Sequence, residues 1–173
     1  MIKLPLNVVK RDGVILIMSA PSGAGKTTLI KKLIQAFPEI RLSVSYTTRE
    51  TRTGEIPGRD YHFVAKKKIE QIQRRGEFAE WANVHGSFYG TPRGPLEQHI
   101  RSGRDVLLDI DVQGSRRIKD RYRNAVSVFL LPPSLRELER RLAHRKTDNK
   151  EIIRERLENA KRELLEIRGY DYF

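Results

Sequence analysis

The feature that most constrains the fold is a glycine-rich turn between an apolar run and a helical pattern. Residues 14–18 (VILIM) are continuously apolar, which is typical of a strand buried on both faces. Residues 19–28 (SAPSGAGKTT) follow directly, and a helical pattern then extends over about residues 26–36, before Pro38. A strand, a glycine-rich turn and a helix in this order predict a phosphate-binding loop.

This turn satisfies the pattern G-x-x-x-x-G-K-[ST] except at its first position, which Ala20 occupies. Glycines allow backbone N–H groups to surround a β-phosphate, and the N-terminus of the helix adds partial positive charge. We expect Lys26 to reach the β- and γ-phosphates of ATP and the Thr27 hydroxyl to bind Mg²⁺. The alternative is a glycine-rich turn with a solvated lysine. The predicted ATP-binding residues are Ala20, Pro21, Ser22, Gly23, Ala24, Gly25, Lys26, Thr27 and Thr28.

The rest of the chain alternates apolar runs with helical patterns. Further strands are expected at residues 42–45, 105–111 and 126–131, and helices at about 113–122, 134–145 and 150–167. Strands that alternate with helices predict an α/β fold, with a parallel sheet, flanking helices and right-handed connections.

One part of the chain has a different pattern. Within residues 42–92, short strand-like pieces at 61–64 and 78–84 surround a single helix at 66–75. We therefore predict one domain, in which a lobe of residues 42–92 is inserted into a core of residues 1–41 and 93–173.

Composition limits the partners of this domain. The 34 Lys and Arg residues exceed the 22 Asp and Glu residues and give a net charge of +12, which predicts a polyanionic partner such as nucleic acid, an anionic membrane or nucleotide phosphates. The arginines of residues 41–75 alternate with Ser, Thr, Gly and Tyr, which favours nucleotide phosphates over nucleic acid. Cysteine is absent, so disulfides and a cysteine nucleophile are excluded. Without a signal-like or membrane-spanning apolar run, we expect a cytoplasmic protein that does not bind membranes.

Five motifs outside the turn resemble those of guanylate kinases, members of the P-loop nucleoside monophosphate kinase superfamily. They are residues 43–49 (SVSYTTR), 52–61 (RTGEIPGRDY), 76–81 (GEFAEW), 88–91 (FYGT) and 108–114 (LDIDVQG). The resemblance runs from about residue 13 to residue 173 in the order and spacing of the family. It implies a P-loop parallel-sheet core, an inserted GMP-binding lobe and a helical lid at about residues 144–151.

The resemblance also implies a guanine-specific monophosphate site. Its eight GMP-binding residues are Ser45, Arg49, Arg52, Tyr61, Glu80, Tyr89, Thr91 and Asp111. Paired arginines suit a dianionic phosphate, and guanine pairs its N1–H and N2–H₂ donors with carboxylates and its O6 acceptor with a hydroxyl. Buried groups left unpaired by adenine can reject it by roughly 10⁴-fold, so GMP or dGMP is expected over AMP. Each of two residues has an alternative role without GMP: Tyr61 would be a strand residue that packs in a core, and Glu80 would be a surface carboxylate.

The catalytic residues are expected to be Lys26, from the turn, with Arg145 and Arg156. The resemblance implies that these two arginines close over the transferred phosphoryl group, although His144 and Lys146 replace small residues beside Arg145. On the Mg²⁺ side, Thr27 is expected from the chemistry of the turn. Asp109 is expected there through water, because Asp109 and Asp111 share one strand face and two carboxylates buried together need a nearby cation. The implied reaction is ATP + GMP → ADP + GDP. A non-catalytic scaffold and a sugar-phosphate kinase are the alternatives, and surface charge is the alternative role for Arg145.

The family pattern extends beyond this sequence. Family members continue past residues 170–173 (YDYF) into another strand, with an N-D-D motif, and a last helix, which help to hold the adenine of ATP. We expect this strand and helix to be absent from the chain, so that either the sequence is a truncated or partly ordered product or adenine binding is weakened. Relatives from bacteria often self-associate, which makes a homo-oligomer an expectation by analogy.

Overall fold

The computed structural model describes residues 11–84, 86–144 and 150–173. These residues form eight strands, which are β1 Ile15–Ser19, β2 Arg41–Leu42, β3 Tyr46–Thr47, β4 His62–Phe63, β5 Phe78–Val84, β6 Ser87–Pro92, β7 Val106–Asp109 and β8 Val126–Phe129. They also form six α-helices, which are α1 Lys26–Ala36, α2 Lys66–Arg74, α3 Arg93–Arg101, α4 Val112–Arg121, α5 Leu135–His144 and α6 Lys150–Leu165. A 3₁₀ turn, Glu166–Gly169, follows α6.

The core sheet has the strand order β2-β7-β1-β8, and all its strand pairs are parallel. The predicted parallel α/β fold is therefore confirmed. Parallel strands buried on both faces read as continuous apolar runs, and β1 and β7 do so because helices cover both faces of the sheet. Ile118 of α4 and Leu96 of α3 pack on one face, and Ile30 of α1 packs on the other.

A second sheet, of order β4-β3-β6-β5, contains residues from the stretch predicted as an inserted lobe. Its β3–β4 pair is parallel, whereas β6 pairs antiparallel with both β3 and β5. Helix α2 packs on this sheet through Ile69 and Ile72, which form a small core with Phe78. The β5–β6 register places Glu80 directly opposite Thr91.

One local expectation was wrong, and one helix was not predicted. The strand expected at 42–45 lies at Arg41–Leu42 and pairs with β7 of the core sheet, so Leu42 belongs with the core strands rather than with the second sheet. Sequence patterns also gave no expectation for α3. Its apolar positions are too few to show a clear helical period, since Leu96 is the buried residue of this helix.

Helices α5 and α6 form a pair beside the phosphate-binding loop. Leu138 and Leu142 of α5 pack with Ala160 of α6, and a Cβ added at Gly23 would lie 3.2 Å from both leucines. The helix pair is therefore in contact with the turn that the sequence assigns to phosphate. No helix in the described part of the chain is long and apolar enough to cross a membrane.

Candidate active site

The glycine-rich turn has the backbone of an anion-binding loop. Gly23 and Gly25 have φ values of +93° and +103°, a conformation that side chains other than glycine adopt at a steric cost. Gly25 is the N-cap of α1, and no acidic residue occupies the first turn of that helix. The N–H groups and the positive end of α1 are thus available to a negatively charged ligand.

Lys26 already has a counter-ion in this structure. Its Nζ lies 2.7 Å from Oδ1 of Asp109, and it donates a hydrogen bond of 3.3 Å to the carbonyl of Ile110. Asp109 ends β7, which is adjacent to β1, so the parallel register carries the carboxylate to the lysine. The two residues that sequence analysis assigned to phosphate and metal are therefore in direct contact.

One cavity of 260 Å³ connects the loop with the second sheet. Fifteen of the predicted site residues line it: Ala20, Pro21, Ser22, Gly23, Gly25, Lys26, Thr27, Thr28, Ser45, Arg52, Tyr61, Glu80, Tyr89, Asp109 and Asp111. Ala24 and Thr91 are buried behind this lining. An adjoining groove of 680 Å³ shares several of these residues and adds Arg49.

A buried carboxylate marks one end of the cavity. Glu80 is 5% exposed, and its Oε1 accepts a hydrogen bond of 2.6 Å from the Thr91 hydroxyl. Burial, with a contribution from the nearby charge of Asp111, raises the pKa of Glu80 to about 7, although hydrogen bonds from Thr91 and the charge of Arg117 oppose the rise. Asp111 caps α4 by accepting a hydrogen bond of 2.8 Å from the N–H of Gly114. This end therefore presents two carboxylates and few cations, and suits a ligand rich in N–H donors.

An arginine and two tyrosines lie together in the lining of the 680 Å³ groove. Arg49 binds both carboxylate oxygens of Glu55, at 2.7 and 3.1 Å, and donates to the Tyr89 hydroxyl at 3.2 Å. Its guanidinium also lies 5.5 Å from the ring centroid of Tyr61. Burial raises the pKa of Tyr61. Glu55 binds the guanidinium with the two-oxygen geometry that a phosphate would use.

The other predicted arginines of the site are Arg52, Arg145 and Arg156, and they differ in their exposure to solvent and in whether the structure describes them. The side chain of Arg52 is exposed, and its backbone N–H donates to Glu55 at 2.7 Å. Arg156 lies on α6 and is half-buried. Arg145 and Lys146, and the side chain of His144, lie outside the described residues, as does most of the predicted lid.

The structure adds two residues that sequence reasoning did not select. Arg141 of α5 donates at 3.1 Å to the carbonyl of Ala24 in the glycine-rich turn and at 2.8 Å to Glu137. Glu163 of α6 lines the 260 Å³ cavity, and burial raises its pKa to about 7 while Lys26 opposes that shift. Both residues lie on charge-rich helices, where spacing alone cannot tell which side chain faces the turn.

Oxygen donors beside the turn are of the kind that a magnesium ion prefers. Among the described residues there is no group of three or more His, Cys, Asp or Glu side chains that could hold a metal by themselves. Mg²⁺ in nucleotide sites is commonly held by one or two protein oxygens, with phosphates and water completing its shell. The Thr27 hydroxyl and the Asp109 carboxylate, both lining the cavity, fit that requirement.

Comparisons with known proteins agree with this geometry. A family model described as guanylate kinase matches residues 12–173. The chain is 51% identical over 164 residues to a guanylate kinase of Geobacter metallireducens, covering 95% of this chain and 81% of that protein. It is 50% identical over 160 residues to a guanylate kinase of Aromatoleum aromaticum, covering 92% and 78%.

A solved structure gives the same result. The crystal structure of a guanylate kinase from Anaplasma phagocytophilum matches with a TM-score of 0.77 and 38% identity, over 94% of this chain and 76% of that one. Similarity to catalytic proteins at this level favours an enzyme over a non-catalytic scaffold. The chain belongs to the guanylate kinase family.

Proposed function

We propose that this chain transfers the γ-phosphoryl group of ATP to GMP or dGMP, giving ADP and GDP or dGDP. The observation that carries the proposal is the single cavity that joins the phosphate-binding turn to the buried Glu80. A cavity of this kind brings a triphosphate and a monophosphate together, and positioning accounts for much of the catalysis in phosphoryl transfer.

The triphosphate end is assigned to residues 20–28. Backbone N–H groups of the turn and the N-terminus of α1 bind the β-phosphate, and Lys26 exchanges Asp109 for the β- and γ-phosphate oxygens. This exchange frees the Asp109 carboxylate to act, through water, on the Mg²⁺ side together with the Thr27 hydroxyl. Mg²⁺, when bound, neutralises phosphate charge.

The monophosphate is assigned to the 680 Å³ groove beside the cavity. The residues that would bind it there are Ser45, Arg49, Arg52, Tyr61 and Tyr89. Arg49 is the strongest part of this assignment, because its guanidinium is already oriented by Tyr89 and by the two oxygens of Glu55. The monophosphate dianion would displace Glu55 from the same donors. Such paired, charge-assisted hydrogen bonds are about twice as strong as neutral ones.

Guanine is assigned to Glu80, Thr91 and Asp111. Ionised Glu80 accepts hydrogen bonds from N1–H and N2–H₂ of guanine, with Asp111 nearby for the same exocyclic amine. The single Thr91 proton now points to Glu80, and once guanine supplies donors to that carboxylate, the hydroxyl is free to donate to O6. Adenine has an acceptor at N1 and would leave Glu80 unpaired, which explains the expected discrimination.

The chemical step requires no strong base. A phosphate oxygen of GMP attacks the γ-phosphorus in line, the new P–O bond forms, and the bond to the β-phosphate oxygen breaks, so that ADP leaves. Lys26, Arg145 and Arg156 are proposed to neutralise the charge that spreads over the transferred group, and an arginine in this role contributes roughly 10³–10⁵-fold in rate. We also propose a cytoplasmic location and no nucleic-acid or membrane partner; self-association stays a proposal by analogy.

The test is a coupled assay of ADP formation with GMP, dGMP, AMP and UMP. We expect activity with the two guanine nucleotides only, and we expect Glu80→Gln to lower kcat/KM for GMP by about a hundredfold or more because buried hydrogen bonds are lost. Glu77→Gln is the matched control, since Glu77 is exposed just before β5. Equal turnover of all four nucleotides would contradict guanine recognition, and GMP binding without turnover would favour the scaffold.

A further inference from the structure

Helix α4 covers the open edge of the strand that carries Glu80. Strand β5 lies at the end of its sheet, so within the described ranges the backbone groups on its outer side have no strand partner. Arg121 of α4 donates there to the carbonyls of Phe78 and Ala79, at 3.3 and 3.4 Å. Edge strands in proteins are commonly protected by such coverage, and in this chain the protection comes from an arginine.

A single face of α4 follows β5. Gly114 lies under the Glu80 carboxylate, since a Cβ added to it would be 2.7 Å from Oε2. Arg117, one turn later, places its guanidinium 4.9 Å from the ring centroid of Trp81. Arg121 follows one further turn along the helix. Positions spaced by three and four residues share one face of a helix, so the contact with the guanine-recognition strand is continuous.

The basic residues of α4 are explained by these contacts. Arg116 binds Glu166 at 2.6 Å, and Lys119 binds Asp171 at 2.7 Å. Arg117 and Arg121 contact β5, as described above. The four cations hold α4 to the 3₁₀ turn, to the C-terminal residues and to β5, which gives this basic helix a structural role without a polyanion.

Glu80 has few positive neighbours to balance its burial. Burial and the Asp111 carboxylate raise its pKa, while the Thr91 hydrogen bond and the charge of Arg117 lower it. Thr91 lies on β6, Arg117 lies on α4, and Asp111 is the N-cap of α4. Arg117 supplies positive charge that acts on this carboxylate. Its guanidinium stacks on Trp81, the next residue of the strand.

We propose that Arg117 is a positioning residue for guanine recognition, whose stacking on Trp81 keeps a positive charge next to Glu80 and favours the ionised carboxylate. This inference rests on the proposed function, in which ionised Glu80 accepts the N–H groups of guanine. It predicts that Arg117 acts on GMP affinity through the protonation state of Glu80, and that ATP affinity does not depend on it.

The chain contains a convenient reporter, because Trp81 is its one tryptophan. The equilibrium Kd of GMP is measured from tryptophan fluorescence, without ATP or metal, for the wild type and for Arg117→Gln, Arg117→Lys and Arg116→Gln. Arg116 is the matched control because it is adjacent in sequence and binds Glu166 instead. The ratio of each variant's Kd to the wild-type Kd at the same pH cancels the titration of the GMP phosphate.

We expect Arg117→Gln to weaken GMP binding about threefold to tenfold below about pH 7, and the ratio to approach one near pH 9, because the ionised form then predominates in both proteins. Arg117→Lys keeps the charge and is expected to restore most of the affinity. Arg116→Gln is expected to match the wild type at every pH. The KM for ATP is expected to stay unchanged in all three.

Two results would overturn the proposal. One is an Arg117→Gln protein whose GMP affinity equals that of Arg116→Gln over the whole pH range. The other is a loss of affinity that is the same at all pH values, which would indicate a purely structural role. If Glu80→Gln binds GMP as well as the wild type does, the proposed function of Glu80 fails, and that outcome is separate from either result for Arg117.

Discussion

The phosphate-binding turn and the proposed guanine end of the same cavity are built in opposite ways. The turn is one uninterrupted segment of residues 20–28 whose backbone geometry depends on two glycines with positive φ. The guanine end takes Glu80 from β5, Thr91 from β6 and Asp111 from the start of α4. Under the proposed function, phosphate affinity is therefore a local property of the chain, whereas base specificity requires the second sheet and α4 to be assembled first.

The two ends also differ in the charge that the ligand must replace. At the turn, the cation Lys26 is held by the carboxylate of Asp109, so an incoming phosphate exchanges one anion for another. At the proposed guanine end, the buried carboxylate of Glu80 accepts hydrogen bonds from Thr91 and can accept further donors. Under the proposed function, charge exchange serves nucleotides in general, and the buried carboxylate selects among bases.

The largest effect is expected at the turn, where Lys26→Met should lower kcat by about a hundredfold to a thousandfold. Removing one group that stabilises transition-state charge has an effect of about this size in other enzymes. GMP affinity, followed by Trp81 fluorescence, should change little, because the two ends are built separately. Lys32→Met is the control, since Lys32 is exposed on the same helix. A large loss of GMP affinity in Lys26→Met would show that the ends are coupled.

A tenfold effect is expected at the guanine end from Gly114→Ala. The added Cβ would lie 2.7 Å from Oε2 of Glu80 and displace the carboxylate. The KM for GMP should therefore rise about tenfold, which corresponds to about 1.4 kcal/mol. The KM for ATP should stay the same. Gly94→Ala on α3 is the matched control, because its Cβ would contact nothing within 4 Å. An unchanged KM for GMP would mean that Glu80 tolerates the shift.

The smallest effect concerns Glu163, a carboxyl at the triphosphate end. Its pKa is raised by burial to about 7, above the unfolded value of about 4.3, so the folded protein loses stability as the pH rises between these values. Glu163→Gln removes this loss, and above pH 7 it should be more stable than the wild type by about 1 kcal/mol, after allowance for solvent screening.

Urea unfolding at about pH 4.5 and pH 8 measures that difference, which should be near zero at the lower pH. Glu158→Gln is the control on α6, because Glu158 is exposed and pairs with Lys161. Equal stability of Glu163→Gln and wild type at both pH values would show that the carboxyl is fully hydrated and that the two ends of the cavity differ less than their geometry indicates.

Sequence patterns predicted the parts of the molecule that depend on local order. The apolar run of β1, the glycines of the turn and the extent of α1 agree with the structure, because strand burial, positive φ and helix period leave clear patterns. Strand β5 was also predicted with its observed bounds. The short strand β2 was misplaced because two residues carry no periodicity, and pairing with β7 alone defines it.

The candidate site was predicted less evenly. Resemblance to a family selected Glu80, Thr91 and Asp111. It did not predict the hydrogen bond from Thr91 to Glu80 or the raised pKa of Glu80. It also did not show that Glu55 occupies the guanidinium of Arg49, that Arg141 holds the turn, or that Arg117 stacks on Trp81. Each of these is a contact between residues on separate elements or loops, chosen from among many charged side chains that look alike in sequence.

The sequence by itself thus determined the strand–turn–helix unit and the chemical types of the residues available to two nucleotides, since backbone geometry and side-chain chemistry are local. Only the tertiary structure decided which charges meet. Lys26 contacts Asp109 because β1 and β7 are parallel neighbours, and Glu80 becomes a buried carboxylate because β6 and α4 close around it. Burial and electrostatic pairing arise from packing between distant segments, and packing is what gives a phosphate-binding motif the base specificity proposed for this site.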